Sequence, residues 1–311
     1  MGEESGPVAA LDCGTNSTRL LIVDDGGRTL AREMRITRLG QGVDASRRLD
    51  PAAMERTVAV LTGYREVMDR HGVVRARLVA TSAARDAANG AEFLAAAREA
   101  TGVEPELLSG LDEGRLSFAG ATARLPEAVA GAGGLLVCDI GGGSTELAVG
   151  RAGRPEGVEA VSLDVGCVRL TERFLHHDPP TAGELEGARR EVAGLVAGAR
   201  AALPAPDPGG PVVGLAGTVS TLASLAGGLE HYDRDAVHHA VLSRDEVRAW
   251  AGRLAADDRV ARGGRPGMEP GRVDVIVGGV LVLVEVMAAF DRGSCLVSED
   301  DILDGLAASL R

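Results

Sequence analysis

The chain contains no lysine; every basic side chain is arginine or histidine. That absence excludes a Walker A phosphate loop, a kinase-type ATP lysine and a Schiff-base lysine, each of which needs the ammonium group. Cysteine is sparse: Cys13, Cys138, Cys167 and Cys295 lie far apart, with no CxxC pair. This argues against a zinc site or a disulfide framework and points to a reducing compartment, hence a cytoplasmic location. Long apolar runs are lacking. The longest, Val273 to Phe290, is broken by Asp274, Gly278, Gly279 and Glu285, which argues against a membrane span. The stretch Met1 to Pro7 is acidic and polar and does not read as a signal peptide. Positive charge is in deficit, 33 Lys and Arg against 45 Asp and Glu, so there is no global footprint for nucleic acid or an anionic membrane. Asparagine occurs only at Asn16 and Asn89, while Ala, Gly, Arg and Val abound. The bias points to a genome rich in G and C, against which two asparagines in polar turns stand out.

What remains is ordinary globular material: 311 residues, 45% hydrophobic and 25% charged, enough for two domains. Glycine, at 43 residues, is in excess. An apolar run at Val8 to Leu11 meets the polar turn Asp12-Cys13-Gly14-Thr15-Asn16-Ser17, then the apolar Leu20 to Val23. Asp24 to Gly27 reads as a hairpin turn and a third strand is expected near Glu33 to Leu39. Pro51 opens a helix to about Arg70, stopped by Gly72. Strands are expected at Leu78 to Thr81 and Leu107-Leu108, helices at Ala87 to Ala100 and Glu113 to Ala123. The opening pattern then recurs at Leu135 to Val149. A shift of 127 positions lays Asp12, Gly14, Ser17, Thr18 and Leu20 on Asp139, Gly141, Ser144, Thr145 and Leu147. Such coincidences imply an internal duplication. Later helices are expected at Val168 to His176, Ala182 to Ala202, Ser243 to Ala255, Val273 to Phe290 and Glu299 to Leu310, the last capped by Ser298. Val212 to Leu215 reads as a buried strand. The whole reads as two related α/β domains with a cleft between them, divided within Pro126 to Gly134.

Two turns could carry chemistry. Gly14 to Ser17 offers backbone N–H groups and three polar side chains, a concavity suited to phosphate oxygens. Gly141-Gly142-Gly143-Ser144-Thr145 lets backbone approach a ligand closely. Alone, each could be a plain hairpin; as a pair led by Asp12 and Asp139, they favour phosphate binding. Asp139 and Glu146 flank the triglycine turn on opposite strands and, near phosphates, suit Mg²⁺. From spacing alone, Arg85 reads as a surface arginine paired with Asp86, and Asp112-Glu113 as N-terminal helix capping. The pairs His176-His177 and His238-His239 lack metal spacing and read as surface or structural.

Six segments occur in order: Asp12 to Leu20, Thr81 to Asn89, Ser109 to Arg115, Asp139 to Leu147, Gly166 to Glu172 and Gly214 to Thr218. Together they resemble the exopolyphosphatase / guanosine pentaphosphate phosphatase (Ppx/GppA) family over essentially the whole chain. The resemblance implies a duplicated actin-like, sugar-kinase-like (ribonuclease H-like) α/β fold with an interdomain cleft. It implies domains over residues 1–128 and 129–311, with the C-terminal helix free to pack back on the first. It implies that Glu113 activates water, with Asp112 as the fallback, and that Arg85 holds the chain end. Gly14, Thr15, Asn16, Ser17, Gly141, Gly142, Gly143, Ser144 and Thr145 would cradle phosphates. Asp139 and Glu146 would hold Mg²⁺, with Mn²⁺ or a monovalent cation as further candidates. Arg19 and Arg169 would line the polyanion path. The family often has Glu at the position of Asp112, and the chain resembles its short two-domain form, without the helical extension. The implied activity is release of terminal phosphate from inorganic polyphosphate, with short chains favoured by the net charge of −12. The alternatives are hydrolysis of guanosine pentaphosphate, the alarmone of the stringent response, a phosphotransferase, and a sensor that binds without turnover. A homodimer is a further expectation of the resemblance.

Overall fold

The computed structural model describes residues 6–131 and 133–311. Two mixed sheets share one strand order. In the first, β3 (Thr29–Ile36), β2 (Ser17–Val23), β1 (Val8–Cys13), β4 (Arg75–Ala80) and β5 (Pro105–Leu107) lie side by side. In the second the order is β8 (Arg154–Leu163), β7 (Thr145–Arg151), β6 (Leu135–Ile140), β9 (Val212–Leu215), β11 (Ser294–Val297) and β10 (Val241–Ser243). Each begins with a three-stranded antiparallel meander, β1-β2-β3 or β6-β7-β8. Each then adds parallel strands beside the first: β4 then β5, or β9 then β11. The duplication read from the 127-residue shift is therefore a duplication of topology.

β1 and β6 are buried along their whole length, which is why they read as unbroken apolar runs. The β2–β3 turn uses Gly27 at φ 84°, and Arg28 N–H donates to Asp24 Oδ1. Asp50 caps the helix Pro51–Arg70, accepting from Ala53 N–H, and proline stands at its first position. The helix Ala182–Ala202 opens with a Thr181–Glu184 capping box.

Outer helices cover the far faces of both sheets. Leu61, Tyr64, Met68 and Phe93 close the first core, and Val192, Val196, Leu254 and Val280 lie in the second. Between the sheets lie two helices that cross over. Gly110–Thr122 puts Phe118 and Ala121 against Leu135, Val137 and Val158 of the second sheet. Ile302–Ser309 puts Ile302, Leu303 and Leu306 against Val8, Ala10, Leu21 and Val79 of the first. The pair meets backbone to backbone: a Cβ at Gly120 would lie 1.8 Å from the Asp301 carbonyl oxygen, and one at Gly305 2.2 Å from that of Leu116. Only glycine permits that approach.

Several expectations need correction. The last helix is capped by Asp301, boxed with Asp304, whereas the Ser298 hydroxyl bonds the Asp300 backbone. The third strand begins at Thr29, earlier than its apolar content suggested. Strands β10 and β11 went unread because segments of three and four residues carry too little periodicity to stand out.

Candidate active site

The duplicated strand ends meet. The turn after β1 and the turn after β6 face each other so closely that a Cβ at Gly142 would lie 2.8 Å from Thr15 Cβ, and one at Gly143 2.5 Å from Ser82 Oγ. Their carbonyls are held from behind. Thr15 accepts from Gly40 N–H, and Asn16 from Thr37 and Arg38 N–H. Gly141 accepts from Cys167 N–H, Gly142 from Val168 and Arg169 N–H, and Gly143 from Arg169 Nε. A trans peptide points its N–H opposite its C=O. The N–H groups of Asn16, Gly142, Gly143 and Ser144 are thus turned away from those partners, and these residues line the cleft between the sheets. Two facing backbone nests of this kind suit phosphate oxygens.

The retained asparagines divide in role. Asn89 is structural: its amide exchanges two hydrogen bonds with the Leu49 backbone. Asn16 is buried in the cleft wall with Nδ2 unpartnered among the described residues.

Acidic groups gather beside the nests. Asp12 is the cross-strand partner of Arg19, and Asp139 that of Glu146. Arg19 and Glu146 are duplicates under the 127-residue shift, so one half carries a compensated pair and the other two carboxylates. Arg19 donates to Asp12 at 2.7 and 3.0 Å and also to Asp301. Asp139 accepts from Ser117 at 2.6 Å, and Glu146 from Ser162 at 2.7 Å. Burial drives the pKa of Asp139 up to about 6 and that of Glu146 to about 8, where the Asp139 charge adds to the effect.

Glu113 joins them from the first turn of the helix Gly110–Thr122, capped by Ser109. The next residue, Gly114, packs on the second sheet, where a Cβ would stand 3.1 Å from Ala160 Cβ and 3.5 Å from Glu146 Cβ. Burial, then the charges of Glu146, Asp139 and Asp12, push the Glu113 carboxyl well above its usual range. Arg85 opposes this: Nη1 lies 3.6 Å from Glu113 Oε2 and donates to the Leu108 carbonyl at 2.8 Å. Arg85 therefore faces Glu113 rather than Asp86. Asp112, one position earlier, is exposed and bonds Ser109 as an ordinary first-turn capping partner.

Oxygens remain unsatisfied. Asp12 Oδ1, Glu113 Oε2 and Glu146 Oε2 are buried with no hydrogen-bond partner. Among the described residues no three His, Cys, Asp or Glu converge on a ready-made metal cage. Orphaned carboxylate oxygens beside phosphate nests fit a hydrated divalent cation such as Mg²⁺, which takes one or two carboxylates and completes its shell with water and substrate.

Two sequence candidates are placed differently from expectation. Thr145 is fully buried and its hydroxyl donates to the Val165 carbonyl, away from the cleft. Arg169 lines no polyanion path: it donates to the Gly143 carbonyl, Ser82, Asp44 and Asp86 and so ties one lip of the cleft to the other. The paired histidines are structural or exposed, with His177 on Glu184 and His238 accepting from Glu299 N–H. Sequence reading missed Ser117 and Ser162, which orient the carboxylates, and Arg272, a solitary arginine outside every motif. Arg272 lines the cleft beside Gly217 and Ala216, the latter at φ 65°, a strained conformation for a side chain bearing Cβ.

The model of the Ppx/GppA phosphatase family matches residues 21–310. Exopolyphosphatase 2 of Mycobacterium tuberculosis is 43% identical, over 97% of this chain and 98% of its own length. The crystal structure of an exopolyphosphatase-like protein superposes with a TM-score of 0.92 at 35% identity, covering 98% of each chain. The Aquifex aeolicus Ppx/GppA family member gives a TM-score of 0.78 at 31% identity, covering 98% of this chain and 97% of its own. With the family model spanning nearly the whole chain and the duplicated α/β architecture in place, this protein belongs to the Ppx/GppA phosphatase family.

Proposed function

We propose that this protein is an exopolyphosphatase that hydrolyses the terminal phosphoanhydride of inorganic polyphosphate, preferring short chains. The observation that carries the reading is Glu113: a carboxylate whose Oε2 is buried without a hydrogen-bond partner among the described residues, set beside two phosphate nests and a pair of carboxylates. The two nests hold the terminal phosphoryl group with N–H donors that need no reorganisation during reaction. Glu113 Oε2 takes a proton from water as the water oxygen bonds to phosphorus. The bond from phosphorus to the bridging oxygen breaks, and the shortened chain leaves with the electron pair. Its raised pKa makes Glu113 a stronger base than a solvated carboxylate while Arg85 keeps it ionisable. Asp139 and Glu146 are the residues that would hold Mg²⁺, or Mn²⁺ in its place. The cation supplies charge stabilisation at the phosphoryl oxygens. The clustered carboxylates and the net charge of −12 support a short substrate over one laid across the surface.

Orthophosphate release is measured with Mg²⁺ from tripolyphosphate, long polyphosphate and guanosine pentaphosphate, for wild type and Glu113→Gln. The expected result is release from polyphosphate, faster from the short chain, falling by about 10²–10⁴-fold in the variant. Release from the nucleotide alone would replace this reading with an alarmone phosphatase. Tight binding with no release by either protein would replace it with a sensor.

A further inference from the structure

Two carboxylates and a hydroxyl stand in one row across the second sheet. Asp139 on β6 is the cross-strand partner of Glu146 on β7, and Glu146 is that of Ser162 on β8. Over this row lies the helix Gly110–Thr122, which carries Glu113. Its residues fall on the row in step. A Cβ at Gly110 would lie 2.3 Å from Ser162 Cβ and 2.5 Å from Ser162 Oγ. One at Gly114 would lie 3.5 Å from Glu146 Cβ, and Ser117 Oγ donates to Asp139 Oδ2 at 2.6 Å. Helix rise explains the match: from Gly110 to Ser117 it amounts to about 10.5 Å, and two strand spacings measure about 9.6 Å. In the first half the row that starts from Asp12 continues to Arg19 and Met34, so it holds no hydroxyl to meet a helix.

Each hydroxyl takes one carboxylate oxygen. Ser162 donates to Glu146 Oε1 at 2.7 Å, and Oε2 is the oxygen left without a partner among the described residues. Ser117 holds Asp139 Oδ2. Between these two contacts along the helix sits Glu113, whose Oε2 is likewise unpartnered. Neither position has room for a larger donor: a bulkier residue at 162 would lift Gly110, and Ser117 is fully buried. Alanine at either position removes the donor and frees the carboxyl group to turn.

Resting on the hydrolase reading above, we infer that Ser162 and Ser117 are positioning residues that pin the helix of the base onto the carboxylates of the second sheet. Glu113, Asp139 and Glu146 then form one rigid unit. The base belongs to the first half by sequence and moves with the second. Donors behind the carboxylates that would hold the cation fix the direction of their oxygens, and losing such a donor costs about 10–100-fold in metal affinity or activity.

The test uses the full chain in two arms. In the first, Mn²⁺ binding to substrate-free protein is followed through the paramagnetic resonance signal of the free ion. Ser162→Ala and Ser117→Ala are each expected to weaken binding about 10–100-fold. In a Glu146→Ala background Ser162→Ala should add less than about twofold, because a residue that acts through Glu146 then has nothing to position. Ser117→Ala in an Asp139→Ala background should behave likewise. In the second arm, tripolyphosphate turnover is measured at saturating Mg²⁺. Each serine variant should lose at least about tenfold in kcat with KM changed less than about twofold, since the base shifts while the phosphate nests stay intact. The same double-variant cycles are read in kcat. Unchanged Mn²⁺ affinity in Ser162→Ala would overturn the inference. So would losses that multiply in full in the double variants, because the serines would then contribute packing alone. Ser162 is half-buried on an edge strand, so its cycle decides even where Ser117→Ala is unstable. If wild type binds Mn²⁺ but releases no phosphate, the hydrolase reading falls while the binding arm still decides the role of the serines.

Discussion

Glu146 and Arg19 occupy duplicated positions and give the two halves opposite electrostatics. In the first, Arg19 neutralises Asp12; in the second, Glu146 confronts Asp139 across the strand pair. Folding raises the pKa of Asp139 to about 6 and of Glu146 to about 8, above their unfolded values. Protons are therefore bound more tightly by the folded state, and their stabilising contribution is lost as pH rises through those values. Metal-free protein should lose on the order of a few kcal/mol of stability between about pH 5 and about pH 8. Glu146→Gln should flatten that profile, and Mg²⁺ should restore wild-type stability at the upper end. Urea midpoints in chelator at both pH values, then with Mg²⁺, measure this; a wild-type profile as flat as the variant's would refute it. Much of this site was readable beforehand because each carboxylate sits at a fixed offset from a glycine turn. The choice of Glu113 over Asp112 was readable only through the family resemblance, since helix phase decides which of two neighbours faces the cleft. Arg272 was unreadable, because nothing local in the sequence marks it as lining the cleft beside Gly217.

The helices Gly110–Thr122 and Ile302–Ser309 are the elements that place Glu113 and Asp301. Their closest approach is at Gly120 and Gly305, where added methyls would collide with backbone rather than with a yielding side chain. Gly120→Ala should destabilise by about 1–3 kcal/mol through overpacking. It should also lower kcat more than it raises KM, because the shift propagates along the helix to the base. Thermal melts with steady-state kinetics separate the two effects; a destabilised variant with unaltered kcat would uncouple the helix pair from catalysis. Strands β1, β2, β6, β7 and β9 were evident in sequence as apolar runs ended by turns. The crossing of the two central helices was not. Their apolar faces declare burial, but which sheet each one covers depends on long-range contacts absent from any local pattern. Ser298, read as the cap of the last helix, gives way to Asp301, whose match with Asp304 completes a capping box.

The cleft is closed on opposite sides by charge. Arg19–Asp301, Arg32–Asp304 and Arg124–Asp300 join the halves near the central helices. At the other lip, Arg169 and Arg173 of the second half bind Asp44, Arg169 also binds Asp86, and Glu172 accepts from Gly42 N–H. Arg169 is buried and serves two carboxylates, so deleting its charge leaves both uncompensated. Arg169→Met should cost about 3–5 kcal/mol, the range for breaking a buried pair from one side. Asp44 retains Arg173, which limits the damage there, whereas Asp86 loses its ion-pair partner and repulsion falls on the lip opposite Gly143. The two sheets should then separate more readily. Small-angle scattering is expected to give a larger radius for the free variant than for free wild type, with tripolyphosphate drawing both to the same closed value. Equal radii without ligand would mean that the central helices alone hold the halves together, and that Arg169 serves only to fix the Gly143 carbonyl so that the second nest faces the substrate.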